Sequence, residues 1–190
     1  SAISSGAVCV VCQVIPEKTN NEVTYIVVDD SAKALGVIAS NYFDNPSEKL
    51  KLIGVTGTNG KTTSVTLLFN LFRLLGFKVG LISTVENKIH NQVIPSTHTT
   101  PSSLELNELL SKMVDKGCQY AFMEVSSHAV DQKRISGVRF EVGVFTNITR
   151  DHLDYHKTFD NYIAAKKAFF DSLSSGAFAL YNVDQKHGET

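Results

Sequence analysis

Apolar positions along this chain alternate between two spacings. Short runs of consecutive or alternating apolar residues, at 7–12, 24–28, 50–55, 78–83, 120–125, 142–146 and 177–181, read as strands. Between them lie stretches with apolar residues three and four apart, which read as amphipathic helices. One carries Leu35, Ile38, Ala39 and Phe43, with Ser31 as its expected N-cap. A second carries Val65, Leu68, Phe69 and Phe72, and Gly76 closes it as the first residue past its end. A third follows Pro101 and Ser102 with Leu104, Leu106, Leu109, Leu110 and Met113, and stops near Gly117. The last spans about 159–173 and gathers Phe159, Tyr162, Ile163, Phe169 and Phe170 on one stripe. Residues 2–6 read as the end of a helix, 16–21 as a turn-rich link and 85–94 as a short hairpin.

Strand and helix in alternation imply βαβ units, so the expected class is α/β, with a mostly parallel sheet flanked by helices. Asn45-Pro46-Ser47 interrupts the pattern. A domain boundary is placed there, with residues 1–47 as the end of a smaller α/β domain and 48–190 as a central domain. In such sheets ligands collect beyond the carboxyl ends of the strands. The segments following positions 55, 125 and 146 are therefore expected to converge.

Composition narrows the class. With 18 Lys and Arg against 19 Asp and Glu, the net charge is −1 and no basic cluster stands out, so nucleic acid is not an expected partner. No apolar run is long enough to span a bilayer, so no membrane partner is expected. Cys9 and Cys12 form a C-x-x-C, but inside a β-like run where residues three apart face opposite ways; buried structural thiols are the expectation, in a reduced, cytoplasmic compartment. Ser1 is not a natural start, so the lack of a targeting signal decides nothing.

The densest chemistry follows the third apolar run. Gly57-Thr58-Asn59-Gly60-Lys61-Thr62-Thr63 sits between a strand and a helix, which makes the fold of phosphate-loop type. Glycines let backbone approach phosphate, Lys61 places a cation near the β- and γ-phosphates, and Thr62 offers a hydroxyl to Mg²⁺. The longer G-x-x-x-x-G-K-[ST] form would need glycine where Val55 stands. Glu124 closes an apolar strand and is placed to hold Mg²⁺, its alternative being a solvated strand end. Ser126-Ser127-His128 lacks a nucleophile elbow and reads as polar lining of a cleft. Arg134, near Gln132, could clamp a carboxylate or phosphate, or simply be a surface arginine. His152 could ligate a second divalent ion, with Asp151 and Asp154 orienting it or binding ribose. Lys166 falls on the apolar stripe of the last helix; the residues alone favour snorkelling to the surface, as for Lys167.

Taken together, Gly57 to Thr63, His98-Thr99-Thr100-Pro101, Met123 through His128, Thr146 through His156 and Ala164-Ala165-Lys166 resemble the Mur ligase family, ATP-dependent amide-forming enzymes of bacterial cell-wall synthesis. The resemblance covers nearly the whole chain and is strongest to the branch that adds a diamino acid to UDP-MurNAc-L-Ala-D-Glu. It implies that Gly57 to Thr63 bind ATP, that Thr62, Glu124 and His152 hold two Mg²⁺ ions, and that Lys166 is a ligand as its CO₂-derived carbamate. It also implies contacts from His98, Thr99, Thr100, Ser126, Gln132 and Arg134 to the UDP-linked dipeptide, and a reaction through an acyl phosphate. Lys61, Glu124, His152 and Lys166 are the expected catalytic set. A cytoplasmic monomer is the family expectation. The family has three domains, so the first half of the N-terminal, uridine-binding domain and the whole C-terminal domain are expected to lie outside these residues, which alone are expected to be inactive. Another Mur ligase or a folylpolyglutamate synthetase-type ligase is disfavoured by Thr99-Thr100-Pro101 and the 124–128 segment. A nucleotide switch without ligase activity is the reading from another class, though Asn87-Lys88-Ile89-His90 lacks the aspartate of a guanine motif. Whether lysine or diaminopimelate is added is left open.

Overall fold

The computed structural model describes residues 2–96 and 98–185. The described residues build two sheets. Strands β1 (Cys9–Cys12) and β2 (Thr24–Val27) pair in parallel as a small sheet, followed by helix α1 (Ser31–Tyr42). The larger sheet contains β3 (Lys51–Thr56), β4 (Val79–Ile82), β5 (Glu86–Ile89), β6 (Gln92–Pro95), β7 (Tyr120–Glu124), β8 (Val142–Phe145) and β9 (Phe178–Tyr181). Its order is β6-β5-β4-β7-β3-β8-β9. The five strands from β4 to β9 in this order are parallel, and the β5–β6 hairpin adds two antiparallel strands at one edge. This is the α/β, mostly parallel architecture read from the apolar periodicity.

Helix α2 (Lys61–Leu74) covers one face and α3 (Ser103–Asp115) and α6 (Phe159–Asp171) the other; short helices α4 (Ser127–Asp131) and α5 (Leu153–His156) lie past the strand ends. Neighbouring residues of one strand feed opposite cores, because side chains alternate across a sheet. Ile53, Val55 and Phe122 pack with Val65 and Phe69 of α2, whereas Leu52 and Met123 pack with Leu106, Leu110 and Phe169. Two glycines decide how closely α6 approaches. Gly54 and Gly143 are register partners on β3 and β8. A Cβ on Gly54 would come within 2.6 Å of Phe169, and one on Gly143 within 3.2 Å of it. The bare backbone lets Phe169 lie fully buried on the sheet, and this brings Lys166, one turn earlier, to the carboxyl edge of β3.

Local signals resolve as expected with three exceptions. Gly76 takes a left-handed φ of 88° just past α2, and Ser102 with Glu105 forms a full capping box on α3. Asp30, not Ser31, caps α1: its carboxylate accepts from Ala32 and Lys33 N–H, leaving Ser31 as the first helical residue. An ionised oxygen is the stronger acceptor for the helix's orphan donors. Leu35 and Ile38 of the same helix are half exposed. Cys9 and Cys12 are also not buried: Cys9 is exposed and Cys12 half-buried, because among the described residues only the edge of α1 meets the two-stranded β1–β2 ribbon, whereas Cys118 is buried. All three thiols are free. No helix among the described residues is long and apolar enough to cross a membrane.

Candidate active site at the carboxyl edge of the sheet

The loop 57–60 leaves β3 at the centre of the sheet and enters α2 at Lys61. Gly57 has φ 149°, and a Cβ there would lie 1.9 Å from Thr146 Oγ1, so loop backbone presses directly on the segment after β8. Asn147 braces it. Thr58 N–H donates to Asn147 O (2.9 Å), Asn59 N–H to Asn147 Oδ1 (3.0 Å), and Asn147 Nδ2 donates back to Asn59 O (3.0 Å). Thr146 Oγ1 adds a bond to Asn59 O (2.8 Å). The Thr58 and Asn59 amides are thereby spent on the frame. Donors remain on the first turn of α2, where Ser64 N–H to Gly60 O is the first helical bond and the amides of Lys61 to Thr63 have no partner within the helix. Gly57→Ala is expected to destabilise the protein by about 1–3 kcal/mol and to displace the loop. Thermal unfolding with and without nucleotide checks this, and an unchanged melting point together with unchanged nucleotide stabilisation would contradict it.

Lys61 Nζ reaches Gly57 O and Thr58 O, each at 2.9 Å. Burial lowers its pKa, while the charges of Glu124 and Asp151 pull it back up. Glu124 ends β7, next to β3, and is 1% exposed. Its Oε1 accepts from Thr62 Oγ1 (2.9 Å) and Thr84 N–H (2.8 Å), and its Oε2 from Thr84 Oγ1 (3.3 Å). A carboxylate this deeply buried, met by neutral donors, sits at a hydroxyl already aligned beside it, which is a donor set suited to a divalent cation.

Lys166 is 3% exposed, so the side chain does not snorkel. The close seating of α6 on its glycine floor holds it beneath the phosphate loop, at the bottom of the strand-end cleft. Its Nζ donates to Gly57 O (2.9 Å) and lies 4.7 Å from the centre of the Tyr162 ring. Burial, assisted by the nearby Lys61 charge, lowers its pKa to about 7. Lys167 stays outside and pairs with Asp171 at 2.6 Å. His152 has a left-handed φ of 51° and opens α5. Its N–H donates to Asp151 Oδ1 (2.8 Å), and its ring lies 4.9 Å from that of His128.

Opposite the loop, Thr100 Oγ1 donates to Glu124 O (2.8 Å) and accepts from Ser126 N–H (3.1 Å). Arg134 Nη1 donates to Thr100 O (2.9 Å) and its Nε to Gln132 Oε1 (2.9 Å). One cleft of about 370 Å³ is lined by Lys61, Thr62, His98, Thr99, Thr100, Glu124, Ser126, Arg134, His152 and Lys166. The strand-end convergence expected from the sequence is thus realised. Gln132 stands behind Arg134, and Thr63 is exposed on α2. Among the described residues no three His, Cys, Asp or Glu side chains gather as a metal cage.

Sequence reasoning missed Thr84, Asn147 and the role of Tyr162, whose hydroxyl lies 3.1 Å from Thr58 Oγ1. Thr84 lies two residues past the end of β4, so the strand-end rule applied to β4 would have found it. Asn147 falls in the 146–156 segment that carries the resemblance, where nothing local marks it as the brace of the loop.

The family model described as the Mur ligase middle domain matches residues 55–190. The chain belongs to the Mur ligase family. This agrees with the resemblance read from its motifs. Among curated relatives, UDP-N-acetylmuramoyl-L-alanyl-D-glutamate–2,6-diaminopimelate ligase of Cytophaga hutchinsonii is 61% identical over 98% of this chain and 38% of its own length. The enzyme of the same name from Parabacteroides distasonis is 57% identical over 99% of this chain and 39% of its own. A solved structure of a UDP-N-acetylmuramoyl-L-alanyl-D-glutamate–2,6-diaminopimelate ligase superposes with a TM-score of 0.84 at 32% identity, covering 99% of this chain and 37% of that one. The chain therefore spans somewhat over a third of the length of the relatives it matches.

Proposed function

We propose that the whole protein is an ATP-dependent ligase that joins a diamino acid to UDP-MurNAc-L-Ala-D-Glu. Residues 48–190 would form part of its ATP-binding middle domain, and 1–47 the end of its uridine-binding domain. The observation that carries this reading is a single cleft shared by the phosphate-loop Lys61, the buried Glu124, the buried Lys166 and the polar wall from Thr100 to Arg134. The names of the two relatives favour 2,6-diaminopimelate as the diamino acid. A cytoplasmic monomer belongs to the same reading, and a net charge of −1 suits a protein that does not hold nucleic acid.

ATP would lie with its β- and γ-phosphates at the first turn of α2, where amides without an intrahelical partner and Lys61 would offset their charge. Thr62, Glu124, His152 and the carbamate of Lys166 would hold two Mg²⁺ ions, whose chemistry is to neutralise phosphate charge in the transition state. His98, Thr99, Thr100, Ser126, Gln132 and Arg134 would contact the UDP-linked dipeptide. Its D-Glu γ-carboxylate would attack the γ-phosphorus of ATP, ADP would leave, and an acyl phosphate would form. The amine of the diamino acid would then attack the acyl carbon and expel phosphate. Lys61 would stay charged beside the transferring group throughout, acting by position and field rather than as a proton carrier.

The test is phosphate release by the full-length protein. Turnover is expected only with ATP, UDP-MurNAc-L-Ala-D-Glu and a diamino acid together, with diaminopimelate preferred over lysine by about tenfold or more. ATP hydrolysis indifferent to the UDP-linked dipeptide would defeat the proposal.

A further inference from the structure

Two side chains that this chemistry leaves unused, Tyr155 and Asp131, connect the wall of the cleft to helix α5. The Tyr155 hydroxyl donates to Asp131 Oδ2 (2.7 Å) and accepts from Gln132 Nε2 (3.2 Å). The other end of the same Gln132 amide, Oε1, accepts from Arg134 Nε (2.9 Å) and from Arg134 Nη2. Arg134 Nη1 continues to Thr100 O (2.9 Å). The Tyr155 ring rests against His128, centroids 4.3 Å apart, and a buried bond between His156 Nε2 and Ser127 Oγ (2.9 Å) closes the same α4–α5 contact.

The direction of these bonds matters more than their number. A carboxylate can only accept, so Asp131 commits the single hydroxyl proton of Tyr155. The phenolic oxygen is then an acceptor towards Gln132. A glutamine amide has two ends of nearly equal size and opposite polarity. Turned one way it presents its carbonyl to the guanidinium; turned the other it presents NH₂ to a group that is all donors. Tyr155 selects the first.

We propose that Tyr155 is a positioning residue that sets the polarity of the Gln132 amide and thereby aims the Arg134 guanidinium at the substrate side of the cleft. This rests on the reading above, in which Arg134 meets the UDP-linked dipeptide. Tyr155 touches no reacting atom. Its contribution is orientation: an arginine fork already fixed on two sides loses less freedom when it binds an anionic ligand.

The experiment uses the full-length protein and UDP-MurNAc-L-Ala-D-Glu as probe, read by calorimetric Kd and by steady-state kinetics. Tyr155→Phe keeps the ring and removes both hydroxyl bonds. The Kd and KM for the UDP-linked dipeptide are expected to rise about fivefold, the equivalent of one hydrogen bond, with KM for ATP and kcat within about twofold. A second background isolates the relay. In Gln132→Glu both side-chain oxygens accept, so there is no polarity left to set, and adding Tyr155→Phe should cost less than about twofold there. A merely structural tyrosine would cost the same in both backgrounds, and that result, or an unchanged Kd in Tyr155→Phe alone, overturns the proposal. Arg134→Ala separates the two levels: if it leaves dipeptide affinity unchanged, the placement of the substrate falls, and the relay with it. A large loss in Arg134→Ala beside an unaffected Tyr155→Phe keeps the placement and rejects the relay.

Discussion

Replacing Lys61 by alanine in the full-length protein is expected to lower ligation by about 10³-fold, through loss of acyl phosphate formation. The side chain serves both the loop and the acidic pocket: it is the first residue of α2, its Nζ 2.9 Å from Gly57 O and Thr58 O, within the fields of Glu124 and Asp151. Negative charge on the transferring phosphoryl group is spread over several oxygens, so a preset point charge in a partly dry cleft is worth more than the same charge in water. Arginine should restore little, because its planar fork cannot occupy the space of an ammonium folded against two carbonyls. Trapping the acyl phosphate with hydroxylamine reads the first chemical step directly. Near-normal hydroxamate yield from Lys61→Ala would end the assignment of this loop to ATP.

Lys166→Ala should lower turnover by about 10²-fold, and a short carboxylic acid in the buffer should restore part of it. Lysine burial disfavours the ammonium, and the adjacent Lys61 charge adds to this, bringing the pKa to about 7. Only the neutral amine combines with CO₂. At fixed dissolved CO₂ the neutral fraction climbs from about pH 6 to about pH 8, so a carbamate ¹³C signal should grow over that interval in the wild type and be absent from the variant. An ordinary exposed lysine would carry almost no carbamate until far more alkaline pH. Activity indifferent to residue 166, or a carbamate signal that survives its replacement, would remove Lys166 from the metal site.

Much of this protein is legible in its sequence. Apolar periodicity located β3, β4, β7, β8 and β9 and the long helices, and the hairpin reading of 85–94 supplied β5 and β6; the central strands bury both faces and the helices one, which leaves a period of two or 3.6 or a continuous apolar run. The phosphate loop was legible because Gly57, Gly60, Lys61 and Thr62 are bound by local stereochemistry within a few residues of one another. Ser31 and Asp30 show the limit of local rules: both are capping types in adjacent positions, and the carboxylate took the role. Cys9 and Cys12 failed for a different reason, since burial depends on what covers a strand and not on the strand's own residues.

Strand, helix and phosphate loop were thus determined by the sequence itself, since each follows from contacts among near neighbours. Which loops meet was decided by the tertiary order β4-β7-β3-β8, which lines up Thr84, Glu124, Gly57 and Asn147 along one edge from positions far apart in the chain. The fate of Lys166 was decided there too. Its helix pattern is compatible with surface or interior, and only the glycine pair Gly54 and Gly143, by letting α6 sink onto the sheet, turned a surface cation into a buried amine against Gly57.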